Sequence, residues 1–230
     1  MINILACDDE KDIVKALKIY LSAEGFNVIE AGNGKEALEA FAANDIKLVL
    51  MDIMMPEMDG IEATMELRKS TNVPIILLTA KSEYSDKILG LNIGADDYIT
   101  KPFNPIEVVA RVKSQLRRYT EFGSEVQKDG TLSNGGIVID DEAKNVTLDG
   151  EPVNLTPTEY SILKLFVENT GKVLSPKEIY KSVWNGDPYG AESTVLVHIR
   201  HLREKIEIDP ANPRYIVAKF GHGYKMEKRA

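Results

Sequence analysis

MINILACDDE occupies residues 1–10, and the abrupt passage from an apolar run to three acids decides how the first half is read. Ile2–Ala6 has the length and composition of a buried strand, and Asp8 and Asp9 stand just past its end. Working outward, further strand candidates are Asn27–Glu30, Leu48–Met51, Ile75–Leu78 and Asp97–Ile99. Helical spacing lies between them: Ile13, Ala16, Leu17, Tyr20 and Leu21, then Ala37, Leu38 and Phe41, and finally Ile106, Val109, Ala110, Val112 and Leu116. Five strands alternating with helices imply parallel pairing with right-handed crossovers. The reading is an α/β, doubly wound, five-stranded parallel domain over residues 1–118.

The strand ends carry the chemistry. Asp8 and Asp9 follow strand one, Asp52 ends strand three, Thr79 strand four and Lys101 strand five. Open α/β sheets bind ligands beyond these carboxyl ends, where strand order reverses, so the five positions converge on one edge. Alone, Asp8-Asp9-Glu10 would be an ordinary helix N-terminus. Together, three clustered carboxylates repel and call for a cation, and oxygen-only ligands favour Mg2+ or Ca2+ over zinc. Lys101 adds a point charge for phosphate oxygens and Thr79 a hydroxyl donor. Carboxylates, Mg2+, lysine and hydroxyl make a phosphoryl-transfer site with one aspartate as nucleophile.

Residues 119–135 break the pattern. Gly123, Ser124, Gly130, Ser133, Asn134 and Gly135 read as a linker. Residues 136–230 follow a different grammar. Ile137–Ile139 and Val146–Leu148 look like short strands, with Asp149-Gly150 as a hairpin signal. Thr156-Pro157-Thr158-Glu159 and Ser175-Pro176-Lys177-Glu178 each open a helix with a capping box. A third helix spans about Glu192–Glu207, and Gly221 and Gly223 punctuate a last hairpin. Small sheet, three helices and terminal hairpin make a winged helix-turn-helix domain.

Charge supports that division. The chain carries a net −8, but residues 193–230 carry +4, so any nucleic-acid contact belongs to the tail. Apolar residues make up 43% of the chain, enough to build cores. A single cysteine, Cys7, excludes an internal disulfide and suits a reducing cytosol. No basic leader precedes the first strand, and no apolar run approaches the roughly 20 residues of a membrane span. A cytoplasmic protein is expected.

Asp8-Asp9-Glu10, Asp52 followed by Pro56 and Gly60, Thr79-Ala80, Gly94-Ala95-Asp96-Asp97-Tyr98 and Lys101-Pro102-Phe103 resemble the receiver domain of response regulators. Val195, His198-Ile199-Arg200, Leu202-Arg203 and Gly221-His222-Gly223-Tyr224 resemble the output domain of the OmpR/PhoB class. Gly94–Tyr119 is also similar to VanR-type members. The resemblance implies a phosphorylation-dependent transcription regulator and no enzyme. Asp52 would be the phosphoacceptor; Asp9, Asp52 and the Met54 carbonyl would bind Mg2+, with Asp8 acting through water. Lys101, aimed inward by a cis peptide before Pro102, would clamp the phosphoryl group, and Thr79 and Tyr98 would be the switch pair. Lys87, Asp96, Asp97, Glu107, Arg111 and Arg118 match the class's charged dimer face, with Lys87–Glu107 and Asp97–Arg111 pairs joining two receivers. Implied partners are a sensor histidine kinase, double-stranded DNA and a second copy on phosphorylation, with RNA polymerase as a further one the class allows, and no membrane.

On the third helix, Val195, Ile199, Leu202 and Ile206 should face the core, leaving Ser193, Thr194, Val197, His198, Arg200 and His201 as the probing surface. By resemblance, Arg200, His201 and Arg203 approach phosphates or bases, Val197 a thymine methyl, and Thr194 a phosphate. Phe220 stands in the wing where many members have arginine. It is expected to pack inward or press on sugars, leaving Lys219 or His222 to reach the backbone or minor groove. Cys7 replaces the usual aliphatic residue and His201 an arginine.

Three rival functions weigh less. A nucleotide-binding enzyme would need a Gly-rich loop after strand one, where Asp8-Asp9-Glu10 instead repels bare phosphate. A metal-dependent phosphatase would offer a second acid beside the nucleophile, which Asp52-Ile53-Met54 lacks. A phosphorylation-independent regulator would not need the intact acidic triad.

Overall fold

A computed structural model describes residues 1–80, 94–121, 131–184 and 191–229. The chain divides into two compact units, Met1–Leu116 and Arg117–Ala230. No helix among the described residues is long and apolar enough to cross a membrane.

From the start of the chain, β1 (Asn3–Cys7), α1 (Lys11–Ala23), β2 (Asn27–Ala31), α2 (Gly34–Ala43), β3 (Ile46–Asp52), α3 (Gly60–Arg68), β4 (Ile75–Ala80), β5 (Asp97–Lys101) and α4 (Pro105–Glu121) follow in order, α4 ending past the boundary of the first unit. The sheet runs β2-β1-β3-β4-β5, all parallel, as the five-stranded doubly wound reading expected. The order reverses between β1 and β3, which places Asp8, Asp9 and Asp52 at the switch point. Ile4–Cys7 and Leu48–Asp52 are buried, as central strands covered on both faces should be. α1 packs through Val14, Leu17 and Leu21, an i, i+3, i+7 stripe that adds Val14 to the expected set. The Gly32-Asn33-Gly34 turn is a helix cap: Asn33 accepts the Glu36 N–H. Cys7 fills a core position, with its thiol against the Asn33 carbonyl and Met55 Sδ.

The second unit contains an antiparallel sheet β6-β7-β8-β9, of β6 (Thr131–Asn134), β7 (Ile137–Asp140), β8 (Asn145–Leu148) and β9 (Glu151–Pro152). Then come α5 (Pro157–Glu168), β10 (Val173–Leu174), α6 (Pro176–Trp184), α7 (Ala191–Ile206), β11 (Ile216–Lys219) and β12 (Gly223–Met226), the last two forming the wing. Asp149 and Gly150 both take positive φ in the β8–β9 turn. Thr156 and Glu159 close the capping box that opens α5, and Ser175 and Glu178 bond reciprocally before α6. Regular structure reaches further into residues 119–135 than their composition suggests. α4 runs to Glu121 and β6 fills Thr131–Asn134, because pairing with β7 outweighs a polar, glycine-rich sequence.

Candidate functional site

β1, β3 and β5 deliver their terminal side chains to one edge. Lys101 Nζ lies 2.7 Å from Asp8 Oδ2, 3.0 Å from Asp52 Oδ1 and 3.7 Å from Glu10 Oε1. Asp8 Oδ1 meanwhile accepts the Glu10 N–H, which fixes the carboxylate with its other oxygen toward the lysine. Asp8 and Asp52 are buried and Asp9 is exposed. Carboxylate oxygens of all three fall within 4.8 Å of one another, an arrangement that could hold a metal ion. Glu10 is the member of this cluster that sequence reasoning left out; its place three residues past β1 was the available signal.

Electrostatics set the protonation states. Burial pushes Asp52 up to about 6; Lys101 pulls it down, while Asp8 and Asp9 raise it further. Burial opposes the Lys101 charge, but the Asp8 and Asp52 carboxylates outweigh it and hold its pKa above the ordinary lysine value. Burial, with Asp8 and Asp52 nearby, pushes the Cys7 thiol up to about 12, so it stays protonated and unreactive.

The Asp52 shift has a stability consequence with a definite sign. The folded state binds this proton more tightly than the unfolded state does, so an ionised Asp52 costs stability above pH 6 and the cost is relieved as pH falls. In metal-free solution Asp52→Asn should be more stable than the parent chain at pH 8, with the gap narrowing at pH 5. Denaturant unfolding at the two pH values checks this, and a gap that widens toward pH 5 contradicts the assignment.

Thr79, next to last in β4, is in register with Thr100, and Tyr98 pairs with Leu77, so Thr79 and Tyr98 share one face of the sheet. Thr79 is buried with its hydroxyl 3.3 Å from the Ala80 carbonyl; Tyr98 is half-buried. Met54 follows β3 in a bend with an exposed side chain. The Lys101–Pro102 peptide is cis. Gly60 matters because a Cβ there would collide with the Asp52 carbonyl oxygen, so the start of α3 presses on the acceptor strand without room for a side chain.

Of the residues expected on the dimer face, Asp96 needs correction. Asp96 is fully buried: it pairs with Arg68 at 2.6 Å and accepts the Ile75 N–H at 2.9 Å. Asp97 is buried as well and takes Arg111 Nη1 on both oxygens, at 2.9 and 2.8 Å, while Arg111 Nε bonds Glu107 at 3.0 Å. In the single chain Asp97 and Arg111 thus pair with each other. Lys87 and the Arg118 side chain lie outside the described residues.

On α7 the core stripe is broader than expected. Val195, Ile199, Leu202 and Ile206 are buried as foreseen, but so is His198, whose ring lies 5.4 Å from Trp184. The reason is helical geometry: 195, 198 and 202 are i, i+3 and i+7. Thr194 and Val197 are also covered, and an enclosed side chain offers no face to a phosphate or a thymine methyl. Arg203 turns to the wing, donating from Nε and Nη2 to the Ile216 carbonyl at 3.0 and 2.8 Å beside the Tyr224 ring. Leu196 and Arg200 are exposed, as are Glu192, Glu204 and Lys205, and Arg200 is paired to its own helix through Glu204 at 3.0 Å. Leu196 was missed, although subtracting the full core stripe from the helical wheel reveals it. His201 is half-buried, with its ring edge-on to His198. In the wing, Lys219 pairs with Glu227 at 3.0 Å and His222 is exposed. Phe220 does not pack inward: it is 102% exposed, because the hairpin tip reaches past the core of its unit.

Residues 4–113 match the family described as response regulator receiver domain, and residues 150–226 the family described as transcriptional regulatory protein, C terminal. The chain is 44% identical to the regulatory protein VanR of Enterococcus faecium, over 98% of this chain and 99% of VanR. It is 38% identical to the sensory transduction protein RegX3 of Mycolicibacterium smegmatis, over 99% and 100%. Among solved structures it is similar to the OmpR/PhoB homolog DrrB of Thermotoga maritima, at 31% identity and TM-score 0.50 over 99% of both chains. It is also similar to a mutant of RitR, at 25% identity and TM-score 0.71 over 99% of this chain and 100% of that one.

Proposed function

Because this chain belongs to the OmpR/PhoB class of response regulators, which regulate transcription in response to phosphorylation, we propose that Asp52 is its phosphoacceptor and that a sensor histidine kinase is the donor. The observation that supports this best is the Lys101 ammonium set between the buried Asp8 and Asp52 carboxylates at the switch point. An Asp52 oxygen attacks the phosphorus of a phosphohistidine, the P–N bond breaks, the imidazole leaves, and an acyl phosphate remains on Asp52.

Three carboxylates against one lysine leave net negative charge, which suits Mg2+ held by Asp9, Asp52 and the Met54 carbonyl, with Asp8 through water. A bound Mg2+ would supply positive charge against the phosphoryl oxygens. Lys101 would orient the phosphoryl oxygens. The Thr79 hydroxyl then turns to the phosphoryl group and Tyr98 moves into the vacated space. The rearranged face, with Glu107 and Arg111, meets a second copy. Arg200, Leu196 and His201 read DNA from α7, and Lys219 and His222 contact it from the wing. Both matched domains are of regulatory types, and the cytoplasm, with RNA polymerase at a promoter, is the setting that fits them.

Incubation with acetyl phosphate followed by intact mass measurement tests the assignment. One phosphoryl group should be added only when Mg2+ is present, and none to Asp52→Asn. An undiminished mass increase in that variant would remove Asp52 from the role.

A further inference from the structure

We propose that the wing carries an apolar wedge, Phe220, which enters the minor groove of duplex DNA and unstacks a base step, an inference that rests on the DNA-binding reading above. The ring stands fully exposed in the turn between β11 and β12. Exposing an aromatic ring to water is unfavourable, and burial against sugars and bases relieves it.

The hairpin that holds the ring is braced. β12 is paired on both sides, with β10 and with β11. The His222 N–H closes the tip onto the Lys219 carbonyl at 2.9 Å. Gly223 takes φ +127°, and a Cβ there would collide with the Leu174 carbonyl oxygen, so the start of β12, next to the tip, is pressed against β10. A ring presented on a braced turn loses little freedom when it binds.

The neighbouring cation is already engaged. Glu227 accepts Lys219 on one oxygen at 3.0 Å and Lys225 on the other at 2.8 Å. The tip therefore leads with an apolar group, and Lys219 would reach a phosphate only by leaving Glu227. One cleft of about 470 Å³ is lined by Lys177 and Glu192, from the starts of α6 and α7, and by Phe220 and His222 of the wing. With α7 in a major groove, the same side of the unit brings the tip to the adjacent minor groove, which is about 6 Å wide and admits a single ring. A protein partner fits less well. A stable interface buries roughly 800 Å² per partner, and here one ring stands between the polar Lys219 and His222.

The test uses the full chain phosphorylated with acetyl phosphate and a duplex that it selects from a randomised pool. The selected site is placed at different positions in fragments of equal length, and gel mobility reports the bend. The parent chain should kink the duplex by at least about 20°. Phe220→Ala should abolish the kink and weaken binding about ten-fold with an unchanged salt slope, whereas Phe220→Leu should keep the kink. Phe220→Arg should lose the kink and steepen the salt slope by about 1. The same kink and affinity in Phe220→Ala would overturn the wedge while leaving DNA binding intact. Failure of the parent chain to select any duplex would overturn the DNA-binding reading and the wedge with it.

Discussion

Arg68→Ala should lower the unfolding free energy of the first unit by about 3–5 kcal/mol, as expected when one partner of a buried ion pair is removed and the other stays behind. Arg68 ends α3 and its guanidinium serves several acceptors at once. Nε donates to the Gly94 carbonyl at 2.7 Å, Nη1 to the Val73 carbonyl at 2.7 Å, and Nη2 to Asp96 at 2.6 Å. Without it, Asp96 keeps the Ile75 N–H but faces the interior with a charge that has lost its guanidinium. Arg68→Lys should recover only a small part of the loss, because an ammonium cannot span the same fork of acceptors. Denaturant unfolding of the parent and both variants decides the matter. A loss below about 1 kcal/mol for Arg68→Ala would mean that the pair contributes no more than a surface contact.

Lys101→Met should slow phosphorylation by acetyl phosphate about 10²–10³-fold, the usual effect of removing one preorganised donor from a site of developing charge. It should not weaken Mg2+. The ammonium sits between Asp8 and Asp52 and competes with any metal for the same oxygens. Its loss leaves the carboxylates more negative and the Asp52 pKa higher than about 6 in metal-free solution, since Lys101 is the group that pulls it down. The variant should therefore bind Mg2+ at least as tightly by calorimetry while losing the rate. An unchanged phosphorylation rate would refute the clamp, and a parallel fall in rate and Mg2+ affinity would instead point to general collapse of the site.

The receiver sheet was legible because its strands are apolar runs that end in the wrong kind of residue. Asp8, Asp52, Thr79 and Lys101 interrupt hydrophobic sequence just where a strand must stop, and strand order then forces them together. The errors have a common origin in side-chain direction. Asp96 and Asp97 are adjacent acids and read alike, but successive residues at a strand point to opposite faces. One finds Arg68 at the end of α3 and the other finds Arg111 on α4. His198 was placed on the outer side of α7 because it is polar, although its spacing from Val195 and Leu202 belongs to the core stripe. Arg203 was assigned to DNA by resemblance, but the Ile216 carbonyl and the Tyr224 ring lie within its reach. The sequence marks charge and period. It does not say which neighbour another element will supply.

Trp184 is the chain's only tryptophan, and it is buried in the second unit. Its indole stacks on Tyr180, with ring centroids 4.9 Å apart and planes 6° from parallel, and the His198 imidazole of α7 tilts against it at 5.4 Å. The receiver unit contributes no indole. Tryptophan fluorescence of the intact chain is therefore a built-in optical reporter of the output unit alone, and a change in its colour or lifetime on phosphorylation of the other unit would be a direct spectral record of the signal crossing between them.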